Sequence, residues 1–233
     1  MTSQPVIYPP RLKITSTSAL YFPYDSRKKV IGHQLKELAL DKIELGYTTI
    51  YSLPNWMVMY SGIGAPVAGL GLESLFHSGI KRIFIFGVCG SFNPIDHIGQ
   101  AILVTQAFSQ EGTSRHYFPR RHQFQPNPSL VKRLQTFFKQ RQLPFKTGRI
   151  VSTDAPFRET QAWVTTQGQR GIDYVDMETS AVLAIAYFHQ REAAACHLVS
   201  DIILSRGWQP GFRSDQLEEN IKKYFLPILK EKL

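Results

Sequence analysis

Cysteine is scarce in this chain: among 233 residues there are two, Cys89 and Cys196, each inside an apolar run. Two such thiols cannot build a disulfide framework, and no Cys or His cluster has metal-ligand spacing. A zinc module is therefore excluded, no metal is expected, and a reducing, cytoplasmic setting fits best. Charge is sparse as well. At 19% charged and 43% hydrophobic residues the chain is too apolar to be disordered. Long unbroken apolar runs are missing too: the stretch 45–72 carries almost no charge, but Pro54, Asn55, Pro66 and several glycines interrupt it, so it cannot be a spanning helix. Residues 1–10 lack the basic-then-apolar order of a secretory leader, and none is expected.

Acidic residues are the minority, 18 Asp+Glu against 27 Lys+Arg, for a net charge of +9. Clustered cations would imply nucleic acid, but Arg27-Lys28-Lys29, Arg120-Arg121-His122 and Lys222-Lys223 are short and scattered and fit no nucleic-acid-binding pattern. A basic surface that attracts small anions is the simpler reading, with neither nucleic acid nor membrane as a partner.

What the sequence does contain is alternation. Residues 1–31, rich in Pro, Ser, Thr and Tyr, read as an irregular lead-in to a helix over 29–40. Two β-rich runs, 47–51 and 56–60, flank a turn at Leu53-Pro54-Asn55 and predict a hairpin. Strands are then expected at 81–86, 101–105, 148–152, 173–175 and 196–199, and helices at 67–78, 128–141, 159–169, 178–191 and 215–232. No repeat or linker divides the chain, so one domain over 1–233 is expected. The alternation implies an α/β layered fold, in which ligands gather beyond strand carboxyl ends.

Polar or glycine residues follow five of these runs: Gly62 to Pro66, Gly87 to Ser91, Ser152 to Glu159, Asp176 to Glu178, and Ser200-Asp201. The Gly62-Ile-Gly-Ala-Pro66 string reads either as a bare strand-to-helix turn or as a ligand loop, without a dinucleotide fingerprint. Gly87-Val-Cys-Gly-Ser91 reads as a turn whose backbone N–H groups form an anion nest, or as a close-packed turn. Asp176 and Glu178 stand at the start of an apolar helix, where the macrodipole favours negative charge. They could cap that helix, or accept hydrogen bonds from neighbouring sugar hydroxyls.

Taken in order, Ser61-Gly-Ile-Gly-Ala-Pro66, Phe86-Gly-Val-Cys-Gly-Ser91, Glu111-Gly-Thr-Ser-Arg-His-Tyr117, Ser152-Thr-Asp-Ala-Pro-Phe-Arg-Glu-Thr160, Val175-Asp-Met-Glu-Thr-Ser-Ala181 and Val199-Ser-Asp201 resemble the nucleoside phosphorylase superfamily, and within it the uridine phosphorylase-like branch. The resemblance implies a three-layer α/β/α sandwich around a mixed, partly barrel-like sheet, cleavage of a nucleoside N-glycosidic bond, and a homo-oligomer, dimer or hexamer. It implies no cofactor; phosphate would be the co-substrate. By the same resemblance Glu178 would bind the ribose hydroxyls, Met177 would pack under the sugar, and Gly64, Val88, Cys89, Gly90 and Asp176 would join them around the substrate. Phe157, Arg158 and Glu159 would shape the base pocket, while Asp201, with Arg213 as partner, would protonate the departing base.

The chemistry suits those residue types. Breaking the C–N bond passes through an oxocarbenium-like sugar that carboxylates stabilise, and the leaving base needs a positioned acid. Two features depart from the family pattern. Where its phosphorylases carry an arginine and a hydroxyl residue at the central turn, this chain has Ile85 and Val88, and the early Gly-Asp-Pro-x-Arg loop is absent. Lys42 only approximates the basic residue lent across a dimer. Water therefore competes with phosphate as the attacking group, unless Arg27, Arg115 or Arg120 rebuilds the phosphate site. The non-enzymatic alternative is a nucleoside-binding relative with a degenerate phosphate site.

Overall fold

The computed structural model describes residues 6–25, 28–231 and 233. In chain order, β1 (Ser18–Phe22) leads to α1 (Val30–Leu38) and a meander of β2 (Asp41–Glu44), β3 (Thr48–Ser52) and β4 (Met57–Ser61). Next come α2 (Ala65–His77), β5 (Arg82–Ser91), β6 (Ala101–Gln110), α3 (Thr113–Tyr117), β7 (Gln123–Phe124), α4 (Pro128–Gln140) and β8 (Lys146–Thr153). A 3₁₀ turn (Pro156–Arg158), α5 (Gln161–Gln169), β9 (Tyr174–Asp176), α6 (Thr179–Phe188), β10 (Glu192–Leu204), β11 (Gly207–Pro210) and α7 (Asp215–Lys230) complete it.

All of these strands belong to one mixed sheet, ordered β11-β10-β6-β8-β9-β5-β1-β4-β3-β2, with β7 on β6. Because β10 also pairs with β5, the run β10-β6-β8-β9-β5 closes on itself as a small barrel, and the rest extends from it as an open sheet. Alternation along the central strands sorts side chains to two cores. Ala19 and Tyr21 of β1 and Ile83 and Ile85 of β5 face α2 and α6, whereas Leu20, Phe22, Phe84 and Phe86 face α1, α4 and α7. The expected three-layer α/β/α sandwich is therefore what the chain adopts.

Two local expectations are corrected. The supposed lead-in contains β1, which lies between β4 and β5 and pairs with both in parallel. All five of its residues are buried, so it shows no polar alternation to betray it. Gly87 to Ser91 is not a turn or an anion nest: β5 runs straight through it, pairing with β10 up to Ser91 and with β9 at Gly90 and Ser91. The glycine at 90 serves close packing, since a Cβ there would stand 2.5 Å from Ile203 Cδ1.

Elsewhere local chemistry sets the boundaries. Asn127 caps α4, accepting from the N–H groups of Ser129 and Leu130, and Thr160 and Ser214 cap α5 and α7 in the same way. Among the described residues no helix is long and apolar enough to cross a membrane.

Candidate active site

The carboxyl ends of β5, β9 and β10 converge on a cavity of about 540 Å³. Its wall includes Val88, Cys89 and Gly90 from β5, Val175 to Glu178 from the β9–α6 junction, Ser200, Asp201 and Ile203 from β10, and Trp208 from β11. Pro23, Tyr24, Ile63, Pro156, Phe157, Glu159 and Phe212 close it from the loops.

At one end, the β9–α6 junction turns on its carboxylates. Asp176 Oδ1 accepts the Ser152 hydroxyl at 2.5 Å, and Oδ2 accepts the Thr179 N–H at 2.9 Å and the Thr179 hydroxyl. Ser152 Oγ takes the Ser180 N–H at 2.9 Å, so two of the orphan N–H groups that open α6 are satisfied from inside the barrel. Thr179 Oγ1 lies 2.7 Å from His197 Nε2, and Ser180 donates to the buried Glu111 at 2.9 Å. Burial holds the His197 imidazole below its ordinary pKa, so it is neutral in this network.

Glu178 differs from its neighbour. It sits at the N-cap of α6 without capping it, and its Oε1 accepts the Gly64 N–H at 2.5 Å. Gly64 has φ 114°, a conformation open to glycine, which lets the backbone turn into α2 while aiming its N–H across 114 residues of sequence at the carboxylate. Burial first, then the charge of Asp176, raises the Glu178 pKa; the Gly64 hydrogen bond opposes the rise.

At the other end stands Asp201. A register shift between Val199 and Asp201 bulges β10 against β5 and turns this carboxylate toward the cavity. Its Oδ1 accepts from Ser200 Oγ at 2.7 Å and its Oδ2 from Trp208 Nε1 at 2.8 Å. Burial raises its pKa and those two hydrogen bonds restrain the rise. Glu159, just after the 3₁₀ turn, is pushed up to about 7, by burial first and then by the charge of Asp201.

The fold thus gathers Val88, Cys89, Gly90, Phe157, Asp176, Met177, Glu178 and Asp201 around one cavity, with Gly64 joined through Glu178. Arg158 and Arg213 are exposed and do not line it, and the partners of Asp201 are Ser200 and Trp208. Of the cations considered for a phosphate site, Arg115 and Arg120 are exposed away from the wall, Lys42 pairs with Glu44, and Arg27 lies outside the described residues. Ile85 is fully buried on the α2 and α6 side, not at the cavity. Sequence reasoning missed Trp208, Tyr24 and Phe212. The signal available for Trp208 was the turn string Ser205-Arg206-Gly207 between two β-prone runs, which marks a hairpin.

Solved structures share this fold of a mixed sheet with a part-barrel between helical layers. Purine nucleoside phosphorylase from Toxoplasma gondii superposes with a TM-score of 0.76 at 18% identity over 97% of both chains. AMP nucleosidase from Bacteroides thetaiotaomicron does so at 0.73 and 18%, covering 93% of this chain and 90% of that one. At such identities the likeness is one of fold. Sequence goes further: the profile of the phosphorylase superfamily matches residues 41–230, and the chain belongs to that family. The guanosine phosphorylase of Halorubrum lacusprofundi is 25% identical over 172 residues, 74% of this chain and 71% of that protein. A DeoD-type purine nucleoside phosphorylase of Brevibacillus brevis is 27% identical over 164 residues, 69% of each.

Proposed function

We propose that this protein hydrolyses the N-glycosidic bond of a purine nucleoside, releasing free base and ribose. One observation carries the choice of water: among the described residues the cavity wall holds the carboxyl groups of Glu159, Asp176, Glu178 and Asp201 and no Lys, Arg or His. Such a wall stabilises an oxocarbenium-like sugar. It opposes a phosphate dianion, whose charge would be desolvated with no cation to pair it. A neutral water molecule meets no such penalty.

Glu178 is the ribose ligand in this reading, since its carboxyl is anchored in the cavity wall by the backbone of Gly64 and Met177 and, with two lone pairs on each oxygen, still has acceptor capacity for sugar hydroxyls. Met177 lies beside it in the wall. The base occupies the end formed by Val175, Ile203, Trp208 and Phe212, whose apolar faces suit a flat ring system. A purine is favoured over a pyrimidine because the wall offers acids there, and no amide or guanidinium among the described residues to read the two carbonyl oxygens of uracil. The purine-specific names of the relatives at 25–27% identity point the same way.

The test is a panel of adenosine, inosine, guanosine and uridine with and without phosphate, following base and sugar products. Purine release at an unchanged rate in phosphate-free buffer, with free ribose as product, is expected. Strict dependence on phosphate with ribose 1-phosphate as product would overturn hydrolysis, and no release from any nucleoside would overturn the enzymatic reading.

A further inference from the structure

At the base end of the cavity an acid and its partner sit on the same hairpin. β11 folds back antiparallel on β10 so that Trp208 stands opposite Ile203, and Asp201, two residues along β10, is its diagonal neighbour on the same face. From there the indole Nε1 donates to Asp201 Oδ2 at 2.8 Å. Little else holds that ring. β11 is an edge strand whose four residues are all exposed, Trp208 itself by 60%, and among the described residues its ring meets no other ring. The side chain therefore adds little to a core; its N–H grips the carboxyl group and its face joins the cavity wall. On the other oxygen, Ser200 Oγ donates to Oδ1 at 2.7 Å. Two partners, one from each strand, thus fix the plane of the Asp201 carboxyl, and each oxygen keeps a further lone pair for a ligand or a proton.

Resting on the purine nucleosidase reading, with Asp201 as the acid that protonates the departing base, we infer that Trp208 is the positioning residue that aims this acid. The C1′–N9 bond breaks with its electron pair passing to the base. The Asp201 proton transfers to N7 and leaves a carboxylate that the indole N–H already faces. Water oxygen forms the new C1′–O bond and gives up its surplus proton to solvent, from which Asp201 is recharged. An indole suits the task because it is a neutral donor. A guanidinium in its place, as expected of Arg213, would hold the carboxyl ionised, but Arg213 is exposed and off the wall. With Trp208 as the partner, burial outweighs the hydrogen bonds and leaves the Asp201 pKa raised.

The other ionisable groups facing the cavity are Glu159 from the loop after the 3₁₀ turn, Asp176 and Glu178 from the β9–α6 junction, Cys89 from β5 and Tyr24 from the loop after β1. None of them is a cation, and Arg206, at the hairpin turn, is exposed like Arg213. Among the described residues no charged donor on the wall stands in for the indole.

The experiment compares the parent with Trp208→Phe, which keeps an aromatic face but loses the donor, with Trp208→Arg, with Asp201→Asn, and with Asp201→Asn combined with Trp208→Phe. Substrates are inosine and 7-methylinosine, whose base leaves uncharged without a proton. In Trp208→Phe, turnover of inosine should fall about 10–10²-fold with a smaller change in KM, while 7-methylinosine keeps its turnover. On the Asp201→Asn background the same substitution should cost nothing further. The alkaline decline of inosine turnover should move to higher pH in Trp208→Phe, where the carboxylate loses a donor, and to lower pH in Trp208→Arg, where it gains a positive charge. Unchanged inosine turnover in Trp208→Phe, equal losses on both substrates, multiplying losses in the double variant, or a decline displaced the same way by Phe and Arg would overturn the positioning role while leaving the nucleosidase reading in place. A parent inactive on every purine nucleoside would instead remove that reading, and this inference with it.

Discussion

The two ends of the cavity carry the same chemical group and treat it in opposite ways. At the α6 end, Asp176 is wired into Ser152, Thr179 and, through Thr179, His197, all buried. At the far end Glu159 sits on a loop with no partner among the described residues. One carboxyl builds the protein and the other is left uncommitted. The difference teaches that lining a cavity does not by itself make a residue a ligand; its spare hydrogen-bonding capacity decides. Glu178 lies between the extremes, anchored by the backbone of Gly64 and Met177 yet facing the cavity.

The largest effect should come from cutting the wired end. Asp176→Ala strands the Thr179 N–H, the Thr179 hydroxyl and the Ser152 hydroxyl in the interior. At about 1–3 kcal/mol for each unpaired buried group, partly relieved by relaxation, a loss of about 3–5 kcal/mol is expected in denaturant unfolding. A loss under about 1 kcal/mol would show that the network is not structural and that Asp176 is as free as Glu159. Glu159→Ala, measured alongside at neutral pH, should not lower stability and should raise it, because burial already disfavours that carboxylate in the folded chain.

Next in size is Glu178→Ala. Removing a charge-assisted hydrogen bond to the sugar should weaken nucleoside binding by about 1.5–3 kcal/mol, roughly tenfold or more, in calorimetric titration. Folding stability should change little, because the Gly64 N–H left behind lies beside the cavity and can take a water in exchange. Unchanged affinity in a folded variant would remove Glu178 from the ribose.

Much of this arrangement was legible in the sequence, for reasons that differ from place to place. The pairing of Gly64 with Glu178 was reachable through the order of motifs alone, because no local pattern relates residues 114 apart. Asp176 was legible as either cap or ligand, and deciding between those readings required its partners Ser152 and Thr179, which only the barrel brings near. The Gly87 to Ser91 string misled because glycines read as a turn, whereas here Gly90 leaves room for Ile203 and Val175. β1 was hidden because a strand buried on both faces has no alternation and its flanks are rich in Ser and Thr. Ile85 was set against a family arginine, but its side chain points into the α2 and α6 core, so Ile85→Arg would bury a guanidinium before it could serve a phosphate.

The smallest expected effect is also the sharpest contrast between the two ends, because acid and base should act on them with opposite sign. His197, at the wired end, has its folded pKa lowered by burial. As pH falls below its unfolded value of about 6.5, the unfolded chain takes up a proton that the folded chain refuses, so stability drops on acidification. Glu159, at the open end, has its folded pKa raised to about 7, above the unfolded value of 4.5. Between those two values the folded chain holds the extra proton, so this group's contribution is full below about 4.5 and is lost as pH rises to about 7. Unfolding free energy measured against pH should therefore show the Glu159 slope disappear in Glu159→Gln, with the acid-side loss due to His197 intact. A Glu159→Gln profile that superposes on the parent between pH 4.5 and 7 would mean that this carboxyl titrates as an ordinary surface group, and the contrast between the two ends would collapse.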